Sequence, residues 1–190
     1  IQGLVNSFGT TIMSAFSVEV KIYTIAYMPV QDFGNAFSFF VAQNYGAKKY
    51  ARIRKGFLLA LVSVLIFCLV ISAAVFGFAD TLMGFFTNEG SAISAAGVEY
   101  LRVEGAFYVG IGILFLLYGY YRAVDKPVVS VVLTIISLGT RVLLAYALTG
   151  LFHTGVIGIW AAIPIGWGLA DLVGMVGIVS SFRGHFFRFP

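Results

Sequence analysis

The chain is poor in the residues on which soluble catalytic domains depend. Of its 190 residues only 11% are charged, two are histidines and one is a cysteine. A lone cysteine cannot form a disulfide or a zinc framework within one chain, and Cys68 lies in an apolar run where a small buried residue is expected. His153 and His185 are far apart and match no metal-binding or catalytic motif. The sequence therefore predicts no metal site, no cofactor and no catalytic centre.

Apolar residues are what the chain has in excess. They make up 60% of the sequence, compared with about 45–50% in soluble domains, and the mean hydropathy is +0.97. A net charge of +4 would suggest nucleic acid only if the basic residues formed a face on a soluble domain. They lie instead between apolar segments. The composition predicts an integral membrane protein whose partner is the lipid bilayer, and it argues against nucleic acid as a partner.

The apolar segments predict an all-α, polytopic helical bundle. A spanning helix needs about 20 mostly apolar residues, because the hydrocarbon core is about 30 Å thick and each residue rises about 1.5 Å. Residues 1–8 resemble the end of a further helix, and the start at Ile1 suggests that the chain lies inside a longer protein. Five full spans are predicted, at Met13–Tyr45, Gly56–Ala79, Tyr100–Tyr121, Pro127–Leu151 and Gly155–Phe182.

The connectors predict the orientation of the bundle. Nine of the 12 Lys and Arg residues lie in "GAKKYARIRKG", "RAVDKP" and the tail "SFRGHFFRFP". The opposite connectors, "ADTLMGFFTNEGSAISAAGVE" and "GLFHTG", contain no Lys or Arg. The positive-inside rule places the basic loops and the C-terminus in the cytoplasm.

Ionisable residues inside the spans are candidate functional residues, because burying a charge in lipid is costly. Counted back from the cytoplasmic helix ends at about 1.5 Å per residue, Asp32 lies roughly 18 Å deep, Arg141 roughly 21 Å and Asp171 roughly 16 Å. These three residues are therefore expected near the membrane midplane. Glu104, at roughly 25 Å by the same count, is a secondary candidate for binding a proton or a cation.

The stretch "YMPVQDFGNAF" is the most polar part of a predicted span. Asp32 and Asn35 are three residues apart and share one helix face, and Gln31 is adjacent to it. Pro29 removes a backbone donor and Gly34 has no side chain, so a kink is expected here. This face is a candidate substrate or ion site. The alternative is that Asp32 is a structural acid paired with a basic residue.

Arg141 needs an acidic partner if it lies in the membrane. Asp171 on the next helix is the preferred partner in a structural ion pair, and Asp32 is the competitor. Glu19 and Lys21 are expected near the outer interface, where their side chains can reach water and no binding site is needed to explain them.

Four stretches of the sequence together show a family resemblance. "AYMPVQDFGNAFSFFVAQNYGAKKYARIRKGF", "YLRVEG", "YYRAVDKP" and "SLGTRVLLAY" together resemble the C-terminal half of the multidrug and toxic compound extrusion (MATE) family, especially its bacterial members. The resemblance implies one lobe of a twelve-helix secondary transporter in the plasma membrane. It also implies an N-terminal lobe as partner, drug-like substrates, and efflux by alternating access in exchange for H⁺ or Na⁺.

The resemblance affects the candidate residues unequally. It makes the helix with Gln31, Asp32 and Asn35 the eighth helix, which in the family lines the central cavity. The family's acid in the tenth helix falls near Ile111, so the coupling cation is left open between H⁺ and Na⁺. A flippase or exporter of lipid-linked or polysaccharide intermediates is the alternative, but it would need a basic cavity and Arg141 is the only deep basic residue.

Overall fold

The computed structural model describes residues 2–86 and 91–186, and within them the chain forms α-helices and no strands. This confirms the predicted all-α fold class. The helices are α1 Gln2–Asn6, α2 Thr10–Gly46, α3 Tyr50–Gly77, α4 Ala79–Phe86, α5 Ser91–Gly105, α6 Tyr108–Ala123, α7 Pro127–Gly150 and α8 Val156–Phe186.

Helix α6 lies at the centre of the bundle. Nine of its 16 residues are buried, and it contacts α2, α3, α7 and α8. Helices α7 and α8 pack on each other, while α2 packs on α3 and α5 as well as on α6. The bundle therefore has a core on both sides of α6, and a long helix, α2, covers one of them.

Helix α3 shows why the bundle suits a bilayer. Its buried residues recur at intervals of three and four, so they form one face of a helix, and they include Cys68 as predicted. The opposite face is apolar as well, although it is exposed. Residues on that exposed face include Leu58, Leu59, Val62, Ile66, Leu69 and Val70. A helix that is apolar all round is typical of a segment surrounded by lipid.

The number of spans differs in detail from the prediction. Among the described residues, three helices are long and apolar enough to cross a membrane, namely α3, α7 and residues Val156–Phe182 of α8, and the bent pair α5–α6 can supply a fourth. Helix α2 is not among them, although its 37 residues are long enough. It carries Glu19, Lys21, Gln31, Asp32 and Asn35, which lower its hydropathy.

The predicted span Tyr100–Tyr121 is not one straight helix. It is divided between α5 and α6, which meet at 52° across Ala106 and Phe107. The connector before it, which the sequence analysis treated as a loop, is helical over α4 and the start of α5. Ala79 and Met83 are four residues apart and fully buried, so α4 is held by packing on the bundle.

Candidate functional site

The candidate face around Asp32 lies on the surface of this chain. Asp32 and Asn35 are exposed, Gln31 is half-buried and Gly34 is buried. Successive helix residues are about 100° apart around the axis, so Asp32 and Gly34 lie on nearly opposite sides of α2. Gly34 faces α6, and Asp32 therefore points away from it. Pro29 does not interrupt the element, since α2 is continuous from Thr10 to Gly46.

Two glycines bring α2 and α6 together at this level. A Cβ atom on Gly34 would lie 2.8 Å from the carbonyl oxygen of Phe115, and one on Gly119 would collide with the carbonyl oxygen of Gly34. The rings of Tyr27, seven residues before Gly34, and Phe115 are 5.5 Å apart. Only Gly permits an approach this close. Because α6 covers the Gly34 side of α2, the opposite side of α2 is left exposed.

One polar contact crosses from α6 to the face. Arg122 donates a hydrogen bond from Nη2 to Oδ1 of Asn35 at 2.9 Å, and its Nε donates to the carbonyl oxygen of Tyr118 at 3.2 Å. Arg122, which was predicted to lie in a basic loop, therefore belongs to the candidate face. Arg122 was missed because sequence spacing does not show which residues of two helices lie at one level.

Packing also revises the depth of Asp32. Gly34 lies level with Phe115 and Gly119, which are only eight and four residues before α6 ends at Ala123. At 1.5 Å per residue that is about 6–12 Å from the end of α6, compared with the roughly 18 Å that was counted along α2. Helix α2 extends beyond the end of α6 in the same direction. Counting residues from the end of α2 therefore overestimates the depth of Asp32 in the membrane.

The carboxyl groups of Glu19 and Glu104 are both buried, although only Glu104 was a candidate site residue. Glu19 of α2 has no exposed surface and Glu104 of α5 has 2%, and their side chains are close enough to interact. The prediction that the Glu19 side chain reaches water is therefore wrong. Ala15, Glu19 and Ile22 are all buried, and this spacing of four and three is the helical pattern that could have identified Glu19 as an interior residue.

Arg141 takes a different partner from the one predicted. Its guanidinium carbon lies 5.8 Å from the ring centroid of Trp167 on α8, a cation–π distance, and its charge lies close enough to act on Glu104. Asp171 is buried and its Oδ1 has no hydrogen-bond partner. Within the described residues one ion pair is formed, between Arg102 and Asp80 at 3.0 Å. The expected Arg141–Asp171 pair is thus absent from this conformation, since Arg141 lies over the indole one turn before Asp171.

Two cavities formed by the described residues do not include Gln31, Asp32 or Asn35. One, of about 480 Å³, lies at the basic end of the bundle, where Arg54, Lys55 and Lys126 contribute to its wall. A second, of about 290 Å³, lies beside Pro29 and Phe33. The face of Asp32 and Asn35 is instead an open surface. In the described part of the chain no three His, Cys, Asp or Glu residues are grouped as metal ligands.

These features define a multi-pass membrane protein, a helical bundle with polar groups in its interior. The sequence model of the MatE family matches residues 1–147. The probable multidrug resistance protein YpnP of Bacillus subtilis is 31% identical over 80% of this chain and 33% of its own length. The multidrug export protein MepA of Staphylococcus haemolyticus is 23% identical over 83% of this chain and 36% of its own.

Solved structures agree with the family match. A MOP superfamily transporter from Pyrococcus furiosus superposes with a TM-score of 0.90 at 21% identity, over 96% of this chain and 41% of the other. The Vibrio cholerae MATE transporter VcmN in its bent form gives 0.89 at 21% identity, over 99% and 42%. The chain belongs to the MATE transporter family, and it matches one lobe of the twelve-helix fold. It spans about a third of the length of the curated relatives that it matches.

Proposed function

We propose that the protein is a secondary active transporter that exports cationic or amphipathic compounds in exchange for H⁺ or Na⁺. Family membership supports efflux, since both curated relatives are multidrug resistance or export proteins by name. The observation that carries the proposal is the exposed acid Asp32 on a helix that otherwise packs in an apolar bundle. A carboxylate on such a surface suits a wet cavity shared with a second lobe, and it is costly against lipid.

The proposed mechanism is alternating access between two lobes. Asp32 attracts the cationic group of a substrate, and Gln31 and Asn35 add hydrogen-bonding groups on the same side of α2. Arg122, which holds Asn35 at 2.9 Å, limits where that amide can point. Uptake of the coupling cation then favours release of the substrate, because the two positive charges compete for the acidic groups.

The orientation belongs to the same proposal. The basic loops at the ends of α2 and α6 face the cytoplasm by the positive-inside rule, and so does the C-terminus. A cysteine introduced at Lys48 and one introduced at His153 test this orientation in intact cells of a strain lacking other reactive cysteines. A membrane-impermeant thiol reagent is expected to label the second position only, and labelling of the first alone would reverse the assignment.

Transport is tested with the full-length protein in lipid vesicles loaded with a fluorescent cationic dye. An imposed proton gradient and an imposed sodium gradient are applied separately, with vesicles lacking the protein as the control. Dye movement driven by either gradient supports antiport and identifies the ion. Dye movement that is equal with and without both gradients contradicts it, and movement of lipid-linked sugars under the same conditions would favour a flippase.

A further inference from the structure

The cavity of about 480 Å³ at the basic end of the bundle has no part in the proposed transport mechanism. It lies where the start of α3 faces the ends of α2, α6 and α8, and each of these helices contributes to its wall. Its volume is in the range of cavities that bind small molecules, about 300–1,000 Å³. We call it the basic cavity, and the chemistry of its wall indicates which class of molecule it fits.

Three basic side chains line the basic cavity. Arg54 and Lys55 lie in the second turn of α3, and Lys126 lies just before α7. All three are exposed, and none of them forms an ion pair with an acid among the described residues. Asp125, the acid next to Lys126 in the sequence, is exposed and is not part of the wall. The wall therefore carries positive charge that the described acids do not neutralise.

The start of α3 adds to this positive potential. Ala51, in the first turn of the helix, lines the basic cavity. Within α3, all of whose residues are described, the first turn contains no acidic residue, and Lys49 at the N-cap forms no side-chain capping hydrogen bond. The aligned peptide dipoles give a helix N-terminus a partial positive charge. An anionic group in the cavity is therefore stabilised by the helix start as well as by the side chains.

Aromatic rings from three helices close the basic cavity on the side of the bundle interior. The rings of Phe57, Tyr120 and Phe182 are in mutual edge-to-face or tilted contact, with centroids 5.7, 5.9 and 6.1 Å apart. On α2 and α3, the rings of Tyr45 and Tyr50 meet edge to face at 6.0 Å. Most of the lining residues are aromatic or aliphatic. The cavity therefore fits a molecule that has an apolar part as well as a negative charge.

The basic cavity continues onto the lipid-exposed face of α3. Leu58 lines the cavity and is also one of the exposed apolar residues of that face, as is Val62. Arg54, Leu58 and Val62 are spaced four residues apart, so they lie on one side of the helix. Val62 is about 12 Å from Arg54 along the helix axis at 1.5 Å per residue. An acyl chain that lies along this side of α3 can thus place its phosphate at Arg54.

The wall discriminates between classes of ligand. The cationic compounds of the proposed transport function would be repelled by three basic side chains. A soluble phosphate or nucleotide would match the charges, but it would leave the aromatic and aliphatic part of the wall without a partner. A phospholipid with a negative headgroup matches both parts, because its phosphate meets the basic residues and its acyl chains meet the apolar ones.

We propose that the basic cavity binds one anionic phospholipid, whose phosphate contacts Arg54, Lys55 and Lys126 and whose acyl chain lies along Leu58 and Val62. A guanidinium group can hold a phosphate through two parallel hydrogen bonds. The bound lipid joins α3, α6 and α8 at one end of the lobe, since all three helices contribute to the wall. The site does not depend on transport, and only its assignment to the cytoplasmic leaflet rests on the proposed orientation.

Binding is measured by native mass spectrometry of the full-length protein, with phosphatidylglycerol and with phosphatidylcholine of the same acyl chains. The protein is expected to bind the anionic lipid about tenfold more tightly than the zwitterionic one. Equal affinities for the two lipids overturn the proposal. Inorganic phosphate at the concentration of the lipid is expected not to displace it. Displacement would assign the cavity to a soluble phosphate and would also overturn the proposal.

Two double variants with the same change in charge separate the basic cavity from general attraction to the basic loops. Arg54→Gln with Lys126→Gln removes one Arg and one Lys from the wall, and it is expected to weaken phosphatidylglycerol binding about tenfold or more. Lys48→Gln with Arg52→Gln removes one Arg and one Lys that are exposed outside the cavity, and it is expected to change binding less than about twofold. Equal losses in both variants show that the attraction is spread over the basic end and overturn the site.

Filling the basic cavity tests its shape without changing its charge. Ala51→Phe places a ring in the cavity from an exposed position, and it is expected to lower phosphatidylglycerol binding while every basic residue stays. Unchanged binding in this variant overturns the cavity as the site. A phosphatidylglycerol with a photoreactive diazirine in its acyl chain locates the site in the unmodified protein. Labelled peptides are expected from the first half of α3 and the end of α8, and labelling confined to other helices contradicts the proposal.

Discussion

Helix α2 carries two acids, and the bundle treats them in opposite ways. Glu19 is fully buried against α5, whereas Asp32, about one turn beyond the centre of the helix, is exposed. The charge is the same and so is the helix, so the difference comes from which neighbours each side chain faces. The exposed carboxylate of Asp32 can contact groups outside this chain, whereas the buried carboxyl of Glu19 can contact only groups inside the bundle. The two acids of one helix therefore lie in different environments, one open and one enclosed.

The largest effect is expected at the close backbone contact between α2 and α6. In Gly119→Ala the new methyl group collides with the Gly34 backbone, so α2 must move away from α6. Overpacking of this kind costs about 1–3 kcal/mol of stability. The expected result is a lower thermal midpoint of the full-length protein, measured by the loss of monodisperse protein on heating. Gly139→Ala, at a site with open space around it, is the control, and equal midpoints for the two variants would contradict the contact.

Asp32→Asn separates the two regions functionally. Export of cationic dyes is expected to fall about tenfold, the loss that corresponds to one charge-assisted hydrogen bond. Thermal stability is expected to stay the same because the side chain is exposed. Asp125→Asn, which removes an exposed acid from the α6–α7 loop, is the control. Normal export with normal pH dependence in Asp32→Asn would remove the acid from the proposed mechanism.

Arg141 tests whether the polar interior is one network. Arg141→Ala is expected to cost about 1 kcal/mol through lost contact with the Trp167 ring. Because no ion pair joins Arg141 to Asp171, adding Asp171→Asn is expected to have an additive effect, within about 0.5 kcal/mol. The measurement is a double-mutant cycle on thermal stability. If the double variant recovers the expression that Arg141→Ala loses, the result would support the Arg141–Asp171 ion pair that was predicted from the sequence.

The smallest effect is expected at the exposed ion pair next to the buried acids. Arg102 and Asp80 have side-chain exposures of 47% and 73%, so solvent screens their attraction. Arg102→Gln is expected to change stability by less than about 1 kcal/mol and to leave dye efflux unchanged. Because Arg102 is only two residues from Glu104, a loss of coupling in this variant would show that its charge is shared with the carboxyl pair.

Much of the bundle could be predicted from the order of apolar and polar residues. The predicted span Pro127–Leu151 corresponds to α7, and Gly155–Phe182 corresponds closely to α8. The helical connector around α4 was missed because its eight residues are too few to span a membrane, and burial of Met83 is decided by distant residues. Glu19 was missed for a related reason, since distance along α2 does not report which face meets α5.

The sequence by itself determined that this is an all-α membrane protein of the MATE family, because length, hydropathy and motifs are properties of single segments. It also placed Gln31, Asp32 and Asn35 on one helix face. Only the tertiary structure decided that Arg122 holds Asn35, that Arg141 lies over Trp167 and that Glu19 joins Glu104. Those pairs come from different helices, and their distances depend on how the helices pack.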